Sequence, residues 1–139
     1  MVVYTDQINI STRGEGDIID ITQDVQSSLQ RSELTNGLIC IFIPGSTASI
    51  STMEYEPGLK KDIPKTMDRI APRDINYHHH DTWHDDNGSS HVKASIIGPS
   101  LTVPFTDKRL TLGRWQQIVL LEFDTRPRKR IIILQIMGE

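Results

Sequence analysis

All five histidines of this 139-residue chain fall in one run, Asn76-Tyr77-His78-His79-His80-Asp81-Thr82-Trp83-His84-Asp85-Asp86-Asn87-Gly88-Ser89-Ser90-His91. Three aspartates and Asn87 lie among them. Imidazole and carboxylate are the usual protein ligands of zinc and other divalent metals, and imidazole is the usual proton carrier near neutral pH. The run is therefore expected to carry a metal or phosphate site on a scaffold formed by the rest of the chain. In an extended segment, alternation puts His78 and His80 on one side and His79 on the other, with His84 or His91 completing either set. An incidental exposed polyhistidine loop is the alternative. Trp83 speaks for order, because a large ring normally packs. His91 falls in the first turn of an expected helix, where backbone N–H groups attract anions; a capping or packing role weighs equally.

Other groups suggest weaker chemistry. Gly45-Ser46-Thr47-Ala48 offers small residues and two hydroxyls through which a ligand could approach the backbone, although a plain glycine turn accounts for it as well. Glu54 and Glu56 follow as carboxylates, with a ligand or base role for Glu54 the minority reading. Arg126, Arg128, Lys129 and Arg130 cluster before the last apolar run, either as a solvated strand end or as an anion site. Trp115, beside Gly113, reads as a buried ring, possible at a subunit contact.

The composition narrows the field. Fifteen basic and 18 acidic residues give a formal charge of -3, without the basic footprint that a general nucleic-acid binder needs. One cysteine, Cys40, excludes an internal disulfide, and its apolar neighbours suggest a buried thiol. No cationic leader with an apolar core and no run of membrane-spanning length are visible, so a cytoplasmic protein without membrane partners is expected.

The elements that must position these groups follow from periodicity. Val3 to Ile10 and Asp17 to Ile19 read as strands around a glycine turn. Ile21, Val25 and Leu29 predict an amphipathic helix to about Leu34, with Asp20 and Gln23 as a capping box and Asn36-Gly37 as its stop. Gly37 to Pro44 reads as a central strand covered on both faces, and Ile50 to Tyr55 as a strand paired back onto it. Leu59, Ile63, Met67 and Ile70 predict a helix kinked or split at Pro64. A short helix after Ser89 or Ser90 is expected to bury Val92 and Ile96 and to end at Gly98-Pro99. Strands follow over Leu101 to Phe105, Leu110 to Leu112, Ile118 to Phe123 and Ile131 to Met137. The whole, residues 1–139, reads as a single α+β domain: mainly an antiparallel β-sandwich with a few short helices on one side.

Several of these pieces together resemble one family. Gly45-Ser46-Thr47-Ala48 with Glu54, Asn76-Tyr77-x-His79, Ser90-His91, Gly98-x-Ser100, Val103-Pro104, Leu112-Gly113-x-Trp115-Gln116, Arg130 and Gly138-Glu139 look like the YjbQ-like, secondary thiamine-phosphate synthase family. The resemblance implies a homotrimer of β-rich subunits with pockets near the subunit contacts. It also implies a transferase that joins an aminopyrimidine diphosphate to a thiazole phosphate with release of diphosphate. His79, His91 and Glu54 would be its catalytic residues. Ser46, Thr47 and Arg130 would bind phosphate of a small phosphorylated molecule, and a divalent metal, zinc or magnesium, would sit on His79, His84 and His91. A metal-dependent hydrolase of a phosphorylated metabolite, or a non-catalytic trimer binding metal or a phosphorylated ligand, are the alternatives. Many members carry histidine where this chain has Gly45, which bears on any three-histidine site.

Overall fold

The apolar periodicity resolves into two antiparallel sheets and four short helices in a computed structural model that describes residues 1–139. In chain order these are β1 (Val2–Ser11), β2 (Ile18–Asp20), α1 (Thr22–Ser32), β3 (Gly37–Phe42), β4 (Ala48–Met53), α2 (Pro57–Ile70), α3 (His78–Trp83), α4 (Gly88–Ile97), β5 (Ser100–Thr106), β6 (Arg109–Leu110), β7 (Gln117–Glu122) and β8 (Lys129–Gly138). The large sheet runs β1-β8-β3-β5-β6 and the small one β2-β7-β4. No helix is long and apolar enough to cross a membrane.

Alternation decides which faces meet. On the large sheet Ile8, Ile39, Ile41, Val103, Phe105, Ile132, Leu134 and Ile136 point inward. They pack on Val25 and Leu29 of α1 and on Ala48, Ile50, Ile118 and Leu120 of the small sheet. The other face of the small sheet, through Met53, Val119, Leu121 and Phe123, packs under Met67 of α2 and Ala94 of α4. β7 is thus covered on both faces, which is why it is apolar at successive positions, whereas β8 buries alternate residues only. This is the expected α+β sandwich with helices to one side.

Local expectations differ in instructive ways. β3 is central in its sheet, between β8 and β5, but one face is open: Leu38 and Phe42 are exposed, and Cys40 on the same face is half-buried. β4 does not pair back onto β3. It pairs with β7, because the turn through Gly45 (φ +135°) carries the chain from one sheet to the other. Gly37 starts β3 rather than closing α1, whose left-handed stop is Glu33. A Cβ on Gly37 would stand 2.1 Å from the Met137 carbonyl oxygen, so the glycine serves close strand approach. Asp20 does not cap as expected; its Oδ1 accepts from the Thr22 N–H and hydroxyl while Ile21 occupies the N-cap. α2 is one element with Pro64 inside it. α4 buries Ser89, Ser90, Lys93 and Ala94 and exposes Val92 and Ile96, the reverse of the expected face. Trp83 and Trp115, both expected to pack, are 70% and 63% exposed.

Candidate functional site

Residues 78–83 form a helix rather than an extended segment, so the alternation of His78, His79 and His80 does not apply. The run contains no glycine or proline, Asp81 supplies a carboxylate in its first turn, and His84 ends it in the left-handed conformation (φ 57°), its N–H bonding to the His80 carbonyl at 2.7 Å. Helical geometry turns successive histidines to different sides. His78 faces solvent opposite Asp81; His80 donates from Nδ1 to the Asp85 carbonyl (2.8 Å) and lies edge-on to His84. His79 alone points back toward α4.

That direction brings His79 and His91 together. Their ring centroids are 4.4 Å apart with planes tilted by 49°. Asp85 completes the group, its Oδ1 3.1 Å from His79 Nε2. The pair is close but poorly aligned as a hydrogen bond, and Nε2 is a buried nitrogen without a directed partner. Two further polar atoms at the start of α4 share this condition: Asn87 Oδ1 and Ser90 Oγ, the latter on a fully buried residue. Asn87 holds the N-cap position of α4 but its side chain caps nothing.

A tight contact sets the angle between α3 and α4. The Tyr77 hydroxyl donates to the Pro72 carbonyl (2.5 Å), and its ring lies against Gly88, where an added Cβ would come within 2.5 Å of Tyr77 Cβ. An ionic strap ties the segment to the body. Arg73 donates from Nε to Glu15 (2.8 Å) and from Nη1 to the Asp86 carbonyl (3.2 Å). Glu15 also accepts from the buried Lys93 ammonium (3.1 Å), which reaches Asp68 as well.

The other expected site residues make contacts of their own. Arg130 grips Glu122 through Nε (2.9 Å) and Nη2 (2.5 Å), and Nη2 also donates to Thr47 Oγ1 (2.8 Å). Thr47 in turn donates to Asp124 (3.0 Å), which Arg128 holds from the other side, while Thr12 donates to Glu122 (2.7 Å). Arg130 Nε and Nη2 and the Thr47 hydroxyl are thus engaged within the protein, with Arg130 Nη1 beside Gly45 and Ser46 exposed next to it. Burial acts to raise the Asp124 carboxyl, but hydrogen bonds from Arg128, the Thr125 N–H and Thr47 outweigh it and hold the group below the ordinary carboxylate range. Glu54 is exposed just beyond β4. Its strand turns the other end toward α4: Ser49 donates to the Ala94 carbonyl and Ile50 to that of Gly98, which places His91 toward Thr47 and leaves Glu54 at the far end. His84 is likewise apart from the pair, and no three His, Cys, Asp or Glu side chains are arranged as metal ligands.

Asp85, Gly88 and the Lys93–Glu15–Arg73 strap were not singled out from sequence. Only Asp85 carried a signal there, as an acid within the histidine run; the strap joins residues too distant in sequence for spacing to connect.

Residues 6–139 match the family described as UPF0047 protein YjbQ-like. The chain is 35% identical to a UPF0047 protein of Methanothermobacter thermautotrophicus, across 100% of this chain and 95% of the relative. It is 36% identical to the UPF0047 protein YugU of Bacillus subtilis, across 94% and 97% of the two chains. Among solved structures, a YbjQ-like protein of unknown function from Sulfolobus solfataricus superposes with a TM-score of 0.92 at 33% identity, covering 99% of each chain. A hypothetical protein from Aeropyrum pernix gives 0.90 at 30% identity, over 98% and 99%. The chain belongs to the YjbQ-like UPF0047 family. The thiamine-phosphate synthase activity that the resemblance implied does not stand: these relatives are uncharacterised UPF0047 proteins or a protein of unknown function, and none is described with that activity.

Proposed function

We propose that this YjbQ-like protein binds a small phosphorylated molecule at the His79–His91 pair, with the two imidazoles donating to the phosphate oxygens and carrying its proton. The observation that supports this reading is the convergence of two rings from separate helices at 4.4 Å, with His79 Nε2 lacking a directed partner. A buried polar atom without a partner is costly unless a ligand or water completes it. The uncapped first turn of α4 adds backbone donors and a positive dipole end. The Asp85 carboxylate, 3.1 Å from His79 Nε2, borders the same space. Calorimetry with pyrophosphate tests the reading: saturable binding to the intact chain, weakened at least tenfold by both His79→Ala and His91→Ala, supports it. Equal binding by both variants overturns it.

A divalent metal is a second reading, carried over from the resemblance: His79, His91 and Asp85 do not form a ligand set as they stand, and would have to re-aim their donor atoms to close on an ion. Two nitrogens and one oxygen would suit zinc better than magnesium, which prefers oxygen ligands. Such an ion would polarise a bound phosphate. Elemental analysis of tag-free protein, with loss of the metal in Asp85→Ala, is its test.

A homotrimer, carried over from the resemblance, fits the open face of the large sheet. Val3, Leu38, Phe42, Ile131 and Met137 are exposed there in adjacent strands, a larger apolar surface than single exposed residues make. Light scattering should give three times the 15.8 kDa chain mass, and Leu38→Glu should reduce it to one.

A further inference from the structure

A second opening lies away from the histidines, under α2. A cleft of about 330 Å³ separates α2 from the outer face of the small sheet. Met53, Val119 and Leu121 form its floor, and Leu59, Ile63 and Ile97 its walls. Packed interiors rarely leave gaps much larger than a water molecule, and water in an apolar cleft finds few partners. Size and lining are those of a small-molecule site.

Two features of α2 keep the cleft open and mark its rim. Pro64 interrupts the backbone ladder in mid-helix, and of the fourteen residues only Met67 is buried. Leu59 and Ile63 are only partly buried against the sheet and present their remaining apolar surface to the cleft. Asp62 is the single ionised side chain in the lining; it is exposed and takes part in none of the ion pairs of the structure. An apolar floor with one free carboxylate at the margin selects a particular kind of guest.

We propose that this cleft is a second binding site, for a small molecule with an apolar body and a cationic head, a hydrophobic amine. The body covers Val119 and Leu121, and the ammonium meets Asp62 at the rim. The site shares no residue with the histidine pair and stands independently of it.

A methyl-resolved NMR titration of the whole chain with benzylamine and with benzyl alcohol tests this. Both probes should shift the methyls of Met53 and Met67 saturably, the amine binding at least threefold more tightly. Asp62→Asn should erase that difference. Thr66→Trp, at an exposed rim position, and Ile97→Trp in the wall should each weaken both probes at least tenfold, while His91→Ala changes neither. No saturable shift with either probe, or unaltered binding in both tryptophan variants, overturns the site. An amine that binds no better than the alcohol overturns the cationic head.

Discussion

The molecule contains two clusters built from the same kinds of residue, and they differ in how they are finished. Around Arg130, two arginines meet two carboxylates and two threonine hydroxyls in six side-chain hydrogen bonds of 2.5–3.0 Å. Around His91, two imidazoles and a carboxylate meet, and His79 Nε2 together with Asn87 Oδ1 and Ser90 Oγ in the adjoining turn of α4 lack partners. A buried ionic network whose carboxylates and hydroxyls are paired in this way holds the fold. The incomplete cluster is where a ligand can contribute. Charge at a strand end and histidines in a loop look equally promising as residue types; hydrogen-bond completion separates them.

The contrast can be broken most forcefully at Glu122. Glu122→Ala leaves the buried Arg130 guanidinium without its carboxylate and should cost about 3–5 kcal/mol in urea unfolding. A cost below about 1 kcal/mol would mean that the network is not what holds this corner. Gly88→Ala drives a Cβ into Tyr77 and should cost about 1–3 kcal/mol, separating the His79 and His91 rings in the process. The inter-ring contact in an NMR structure of that variant reads the second effect.

Asp124 sharpens the comparison through pH. Its carboxyl is depressed in the folded chain, so the stability it adds is present above the unfolded carboxylate value, about 3.9, and disappears as pH falls through the lower folded value. Asp124→Asn should therefore lose about 1–3 kcal/mol at neutral pH, with the gap to the parent narrowing only below about pH 4. A gap that closes between pH 5 and 7 would contradict the assignment.

The smallest effect is expected at Ser90. Its hydroxyl is buried without a partner, so Ser90→Ala should be neutral or stabilising by up to about 1 kcal/mol. The same change should weaken pyrophosphate binding if that hydroxyl serves the ligand. A destabilised variant would show that Ser90 is already satisfied.

Much of this architecture was legible from periodicity. The strand alternation of β8, the continuous apolar run of β7 and the stripe of α1 each state their own burial. The histidine run also announced itself, and the meeting of His79 with His91 was anticipated. What escaped depends on tertiary partners. Two apolar strands joined by a short turn resemble a hairpin, and nothing local reveals that Gly45 leads β4 into another sheet. On α4, Val92 and Ile96 outweigh serines and a lysine on any hydropathy argument, whereas Lys93 is buried by Asp68 and Glu15 from distant segments. The basic run Arg126 to Arg130 gives no local sign that Arg130 is paired, since its partner Glu122 lies across the Asp124–Arg128 turn. The exposed Trp83 and Trp115 override the usual preference of large rings for the interior.

The most direct test of the central claim is a long-range proton–nitrogen spectrum of the five imidazoles, recorded while pyrophosphate is added. The ring nitrogens of His79 and His91 should move together and saturate at one equivalent per chain, with His78, His80 and His84 unmoved. Five imidazoles shifting in parallel without saturation, or a stationary His79–His91 pair, would contradict it.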